Sequence, residues 1–235
     1  MNKLNNLISI VVPVYNESDS IRLLINEIIN VMKSHQLLFE LIIVNDGSVD
    51  STSNVLENLS LEIKQLTVIN LRKNYGQTAA LAAGFDHSNG DIIVTLDGDL
   101  QNDPNDIPKL ITNINEGYDL ICGWRFQRKD KLLNRRIPSQ IANRLIGNVT
   151  GIHLHDYGCS LKAFKHEIIK DIKLYGELHR FLPVLANIEG AKIKEIKVNH
   201  RSRKYGQSKY GIDRTFRVLM DLLTVWFMNK FLTRP

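Results

Sequence analysis

The chain has 235 residues, 43% of them hydrophobic, which is enough to bury a substantial core; no repeat, low-complexity tract or linker divides it, so one domain is expected. Its two cysteines, Cys122 and Cys159, have neither metal-ligand nor disulfide-framework spacing and suit small core positions in a reducing compartment. The formal charge of +5 is unevenly spread, with +6 over residues 125–144, +5 over residues 201–217 and −6 on the remainder, a pattern that implies an anionic partner: phosphates, nucleic acid or a membrane surface. Met1 opens a polar segment that carries no secretory or transit pattern, and a cytoplasmic location is expected.

Residues 7–14 read as a buried strand broken by the polar turn Pro13-Val14-Tyr15-Asn16-Glu17-Ser18. Ile21, Leu24, Ile25, Ile28, Ile29 and Met32 then keep helical spacing. A second strand over 39–44 ends in Asn45-Asp46-Gly47-Ser48, and Asp50 or Ser51 can cap a helix that follows. A third strand over 66–71 leads through the loop 72–77 to an Ala-rich helix over 78–86, whose small side chains allow close packing on a sheet. Alternating strands and helices imply a doubly wound parallel sheet, and ligands of such sheets bind beyond the carboxyl ends of the strands.

The fourth strand, from Ile92, runs straight into Asp97-Gly98-Asp99-Leu100-Gln101. Two carboxylates on one tight turn, a glycine that permits close backbone approach and a neutral oxygen at Gln101 suit Mg²⁺ or Mn²⁺ held together with a phosphate. The acids could instead solubilise a turn before the helix that Asp103-Pro104 caps. Tyr15, Asn16, Glu17 and Asp46 should lie on the same sheet edge, and that convergence favours a ligand site. No G-x-G-x-x-G or G-x-x-x-x-G-K motif supports a dinucleotide site or a P-loop.

Beyond the helix over 103–115, residues 118–123 form a strand ending at Trp124-Arg125, followed by a basic segment over 126–144 that Pro138 interrupts. His153 and His155 are expected to be structural, whereas Asp156, beside a glycine turn, can face the crevice or solvent. Residues 177–182 begin a short apolar helix, and residues 191–198 alternate as an edge strand does. The loop over 200–210 mixes basic residues with two tyrosines but offers no stacking platform for nucleic acid. Residues 212–232 are rich in Leu, Val, Met, Trp and Phe, interrupted by Asp221 and flanked by cations; they fall short of the ~20 residues of a span. They can form a core-packed helix or an amphipathic one at a membrane interface.

Val11-Val12-Pro13-Val14-Tyr15-Asn16-Glu17, Asn45-Asp46-Gly47-Ser48, Asp97-Gly98-Asp99-Leu100-Gln101, Gly123-Trp124-Arg125, Asp156-Tyr157-Gly158-Cys159-Ser160 and Gly206-Gln207-Ser208-Lys209-Tyr210 together resemble family 2 glycosyltransferases, in the branch that acts on polyprenyl phosphates. The resemblance covers residues 11–210 and implies an α/β fold of GT-A type, a Rossmann-like, mostly parallel sheet with helices on both faces, plus a C-terminal amphipathic helix. The glycosyltransferase domain would run over 1–210, with 211–235 a membrane-interfacial part of the same unit. It implies inverting transfer of a hexose from a UDP- or GDP-sugar to a polyprenyl phosphate, with Mg²⁺ or Mn²⁺ as cofactor and no nucleic acid as partner; a homo-oligomer is possible.

By that resemblance Pro13, Tyr15, Glu17 and Asp46 hold base and ribose. Asp97 lies near the nucleotide and the metal, Asp99 and Gln101 coordinate the ion, and Arg203 and Lys209 close over the donor phosphates. Arg125 with Arg135 or Arg136 places the acceptor phosphate, Asp156 orients sugar or acceptor, and His179 and Arg180 fall near the acceptor or serve as caps. Relatives of this branch continue past a sequence like Thr233-Arg234-Pro235 into transmembrane helices, so attachment to the cytoplasmic face would be integral in a longer natural chain and peripheral through 212–232 otherwise. Two further readings stand beside this one: transfer to a soluble or polysaccharide hydroxyl, with Asp156 as base, and a non-catalytic module binding nucleotide-sugar or nucleic acid.

Overall fold

The computed structural model describes residues 6–126, 137–203 and 213–231. In chain order they form β1 (Ile8–Val14), α1 (Ile21–Ser34), β2 (Phe39–Asn45), α2 (Thr52–Glu62), β3 (Leu66–Asn70), α3 (Gln77–Asp86), β4 (Ile92–Thr95), α4 (Ile107–Asn115), β5 (Leu120–Arg125), α5 (Ile137–Thr150), β6 (Lys162–Lys165), α6 (His166–Lys170), α7 (Leu182–Ile188), β7 (Ile193–Val198) and α8 (Asp213–Phe231). Alternation along the central strands sets two apolar layers. Ile8, Ile10, Val12 and Val14 of β1 turn toward α1, α2 and α4, meeting Leu24, Ile28, Leu56 and Leu110. Val11, Ile42, Val44 and Ile93 turn the other way, against Ala80, Leu81 and Phe85 of α3 and Leu182 of α7. Burial on both faces explains why these strands read as nearly unbroken apolar runs. The expected close packing of the Ala-rich helix is present: a Cβ on Gly84 would lie 2.3 Å from Val11 Cγ1.

The sheet has seven strands in the order β3-β2-β1-β4-β6-β5-β7. The pairs β1–β2, β1–β4, β2–β3 and β5–β7 are parallel, whereas β6 runs antiparallel to both β4 and β5. β7 lies at an edge, as its alternation predicts. Strand order reverses between β1 and β4, because β2 and β3 build outward on one side of β1 and β4 starts the other. That switch point opens a crevice at the carboxyl edge, and the two chain segments leaving it are Tyr15 to Ser20 and the D-G-D turn.

One boundary differs from expectation. Pro138 does not interrupt α5; it sits in its first turn, where a missing N–H leaves no helical bond unmade and the fixed φ favours the helix, and residues 127–136 of the basic segment lie outside the described residues. Asp103 caps as expected, its carboxylate accepting from Asn105 N at 3.1 Å.

α8 packs on the core along one face and leaves an apolar stripe exposed on the other. Leu222 and Val225 are buried in a third cluster with Phe181, Val184 and Leu185, and Asp221 accepts from Glu177 N at 2.8 Å, fixing the helix against the segment before α7. Met220, Leu223, Phe227 and Phe231 are exposed; at ~100° per residue they form a stripe roughly opposite the buried pair. Among the described residues no helix is long and apolar enough to cross a membrane.

Candidate active site

The D-G-D turn is held from three sides. Thr95 Oγ1 donates to Ser160 O at 2.7 Å, and Asn102 Oδ1 accepts from Ser160 Oγ at 2.8 Å and from Asp97 N at 3.3 Å. Ser20 Oγ donates to Gly98 O at 3.0 Å, tying the turn to the start of α1. Packing by itself requires Gly98: a Cβ there would lie 2.7 Å from Val14 Cγ1. Leu100 takes φ +61°, left-handed backbone that a residue with a β-carbon tolerates poorly and that a fixed surrounding structure must enforce.

The two carboxylates project from this frame into different surroundings. Asp97 Oδ1 accepts from Gln77 Nε2 at 2.7 Å, at the first residue of α3. Asp99 is 7% exposed; Oδ1 accepts from Gln101 N at 3.1 Å and Oδ2 from Arg203 Nη2 at 2.5 Å. Arg203 Nη1 lies 4.0 Å from Glu17 Oε1, and Glu17 Oε2 accepts from Ser20 Oγ at 2.9 Å. Burial, followed by the charge of Asp97, pushes the Asp99 carboxyl up to about 6, against the pull of Arg203 and the Gln101 N–H. Ionising Asp99 is therefore costly in this turn, through lost hydration first and the Asp97 charge second. Gln101 turns its amide nitrogen to Arg201 O at 3.4 Å. Among the described residues no three His, Cys, Asp or Glu side chains converge closely enough to hold a metal by themselves. A hard divalent ion held here would have Asp99, already engaged by Arg203, as its carboxylate, with ligand oxygens and water completing its shell.

On the β1–β2 side a cavity of about 440 Å³ is lined by Tyr15, Gly47, Ser48, Arg72, Lys73 and Asn74, among others. Asp46, 3% exposed, accepts from Tyr75 N at 2.7 Å and Gly76 N at 2.9 Å; burial raises its pKa and the two N–H groups oppose the rise. It thereby ties the 72–76 loop to the end of β2. Gly47, at φ +65°, allows that loop to cross it, since a Cβ would lie 2.3 Å from the Lys73 carbonyl carbon. Pro13 is a β1 residue in register with Val44.

On the far side of the turn, Arg125 at the end of β5 meets Asp156. Nε donates to Oδ2 at 2.7 Å, Nη2 to Oδ1 at 2.8 Å, and the Arg125 N–H to Oδ2 at 3.3 Å. Asp156 is 3% exposed, so the question of crevice or solvent is answered by a buried fork. Burial works against the Arg125 charge, but the Asp156 bonds and charge outweigh it and raise the guanidinium pKa. Lys162 Nζ donates to the carbonyls of Tyr157 and Cys159, bracing the 156–160 turn. His155 stacks on Trp124 with ring centroids 4.0 Å apart and bonds Glu195 Oε2 at 2.7 Å, a structural role as expected. His179, buried, bonds Thr78 Oγ1 at 2.7 Å within the turn Leu178–Phe181 that also holds Arg180. Arg135, Arg136 and Lys209 lie outside the described residues.

The structure thus brings Glu17, Asp97, Asp99, Gln101 and Arg203 together and sets Arg125 and Asp156 beyond them. Arg72, Lys73, Gln77 and Arg201 were not singled out by the sequence. Their signal was positional: the 72–77 loop follows a third parallel strand and so reaches the same edge.

The sequence matches the profile described as glycosyl transferase family 2 over residues 9–173. It is 47% identical to a dodecaprenyl-phosphate galacturonate synthase of Rhizobium johnstonii over 232 residues, covering 97% of this chain and 69% of that protein. It is 40% identical to an undecaprenyl-phosphate 4-deoxy-4-formamido-L-arabinose transferase of Shewanella sediminis, covering 93% of this chain and 66% of that one. The chain thus spans about two thirds of the length of these relatives. In fold it is similar to the mannosyl-3-phosphoglycerate synthase of Rubrobacter xylanophilus, with TM-score 0.76 and 14% identity over 95% of this chain and 74% of the other. Glucosyl-3-phosphoglycerate synthase of Mycobacterium tuberculosis, solved with Mn²⁺, UDP and phosphoglyceric acid, gives TM-score 0.68 and 18% identity, covering 95% and 78%.

Proposed function

The chain belongs to glycosyl transferase family 2, and from that membership we propose that it transfers a sugar from a nucleotide-sugar to a polyprenyl phosphate with inversion at the anomeric carbon. The observation that carries the proposal is the row of charges across the sheet edge: Glu17, Arg203, Asp99, Asp97, then Arg125 and Asp156. A donor with a diphosphate and an acceptor with a phosphate need cations on either side of the bond being exchanged, and this row supplies one on each side. The two relatives act on dodecaprenyl and undecaprenyl phosphate by name, and they differ in sugar, so the acceptor class is the shared part.

In this reading Tyr15, Asp46 and the cavity beside them hold the base and ribose, with Pro13 and Glu17 shaping the approach. Asp99 and Gln101, with Asp97 adjacent, would hold Mg²⁺ or Mn²⁺. Such an ion offsets the charge that grows on a departing diphosphate. Arg203 and Lys209 hold the donor phosphates. Arg125, with Arg135 and Arg136, holds the acceptor phosphate for in-line attack. A phosphate monoester has a second pKa near ~6 and is largely ionised at neutral pH, so no strong base is required. Asp156 is engaged by two guanidinium nitrogens and acts by orienting Arg125, which disfavours a hydroxyl acceptor that needs Asp156 as base. The exposed stripe of α8 would rest on the cytoplasmic face of the membrane, where the free thiols Cys122 and Cys159 suit the redox state.

The test is a donor panel of UDP- and GDP-hexoses and UDP-uronic acids with undecaprenyl phosphate and Mn²⁺ or Mg²⁺, read by the mass of the lipid product. Free sugars serve as the competing acceptors. A glycosylated lipid phosphate is expected; transfer to free sugars with none to lipid would overturn the reading.

A further inference from the structure

Arg203 is seated on Asp99, the carboxylate assigned above to the metal. Its Nη2 lies 2.5 Å from Asp99 Oδ2, and its other terminal nitrogen faces Glu17. The chain just before it is pinned. Arg201 N donates to Gln101 O at 2.9 Å, Arg201 Nη1 pairs with Glu27 at 2.6 Å, and Nη2 pairs with Asp103 at 2.8 Å. A bridge between Asn102 and His200 adds a further tie. The segment therefore has a fixed root on the D-G-D turn and on α1, with a guanidinium tip on the carboxylate.

We propose that Arg203 is a built-in competitor for the divalent cation at Asp99, and that the donor's diphosphate relieves the competition by offering the guanidinium another anion. Metal and nucleotide then bind as a coupled pair. This rests on the assignment of Asp99 as a metal ligand made above. A divalent ion on the Asp99 carboxylate would set two further positive charges beside the Arg203 guanidinium where water screens them poorly, so metal arriving alone weakens or displaces a charge-assisted hydrogen bond. A diphosphate supplies pairs of anionic oxygens whose spacing suits the guanidinium fork. Two residues of chain beyond the Arg201 anchor span up to about 7 Å, so the tip can change partner while the root stays in place. Linkage then requires that the nucleotide strengthen metal binding by the same factor as the metal strengthens nucleotide binding.

The experiment titrates Mn²⁺ into the whole chain, alone and with UDP or GDP in parallel arms, reading free Mn²⁺ by electron paramagnetic resonance. In the wild type either nucleotide that binds is expected to lower the apparent Mn²⁺ Kd by roughly 5–150-fold, the usual span of such couplings. Arg203→Met, and separately Arg203→Gln, should tighten Mn²⁺ binding without nucleotide by about fivefold or more and shrink the nucleotide effect. Unchanged or weaker Mn²⁺ binding in both variants overturns the proposal, as does a wild type indifferent to nucleotide. Asp99→Asn separates the layers. Mn²⁺ binding lost there, with no gain in the Arg203 variants, defeats the competition alone; Mn²⁺ binding that survives Asp99→Asn defeats the metal assignment beneath it.

Discussion

Asp99→Asn should make the ligand-free protein more stable at neutral pH while removing its activity. The Asp99 carboxyl is raised from 3.8 to about 6, first by burial and then by Asp97, so its ionised form is less favourable in the folded chain than in the unfolded one. For an acid raised on folding, the native state binds the extra proton between the two values, and stability falls as pH rises through that window. Above about pH 6 the full cost is present; below about pH 4 it is gone. A separation of that size corresponds to about 3 kcal/mol, and the coupling to Asp97 makes this a ceiling, so a gain of about 1–3 kcal/mol is expected. For a chain of this length each kcal/mol moves Tm by about 2–4 °C. Thermal melts in the presence of a chelator, without nucleotide, at pH 8 and pH 4.5 provide the assay. The Asp99→Asn chain should melt higher than wild type at pH 8, and more than half of the advantage should vanish at pH 4.5, where the wild-type carboxyl is protonated. A variant less stable than wild type at pH 8, or an advantage independent of pH, would refute the account of the site as strained by its own charge.

Three other substitutions probe separate parts of the molecule. Asp156→Ala strands the Arg125 guanidinium in a buried position and should cost about 3–5 kcal/mol, seen as a lower urea midpoint; unchanged stability would remove Asp156 from its orienting role. Gln77→Ala releases Asp97 Oδ1 and should lower kcat/KM for the donor by about 10–100-fold with little change in Tm, so wild-type kcat/KM would show that Gln77 is incidental. In α8 the two faces should part company. Leu222→Ala is expected to cost about 2–5 kcal/mol, whereas Leu223→Ser with Phe227→Ser should leave the urea midpoint in place and reduce flotation with anionic liposomes. Equal flotation of that double variant would detach the outer stripe from membrane binding.

Much of the fold was legible because its strands are buried on both faces. Apolar runs such as Phe39–Asn45 stand out against helices whose contacts recur at helical spacing, and the D-G-D turn follows one of these runs directly. β6 left no such signal. Lys162–Lys165 is four residues long with a lysine at each end, and its direction is set by where the chain re-enters the sheet after α5. Pro138 reads as a break in any local scheme, and only the position of the helix start shows that it begins one. The site was legible as residue types and not as partnerships. Asp156 and Arg125 are 31 apart in sequence and Arg201 and Glu27 are 174 apart, so their pairing depends on the closed sheet. Gly98 was legible as a necessity, but its contact with Val14 was not, because that can be seen only when β1 and β4 are side by side.

The reversed strand β6 also divides the molecule genetically. Residues 8–95 build β3-β2-β1-β4 without interruption, residues 120–198 build β6-β5-β7, and between them the chain passes through the turn and α4. The seam between the blocks is a ladder of four residue pairs, from Ile92 with Lys165 to Thr95 with Lys162. A crossover placed within α4 can therefore exchange the block carrying the Tyr15 and Asp46 loops for that of a relative and leave Arg125 and Asp156 untouched. The graft has few strand contacts to rebuild, though it must restore the Thr95 and Asn102 links to Ser160, the Arg201 and Arg203 ties to α1 and the turn, and the Thr78–His179 bond. The two relatives named above differ in sugar and share a polyprenyl phosphate, and such a joint would let the Tyr15 and Asp46 loops vary by recombination while Arg125 and Asp156 are inherited together.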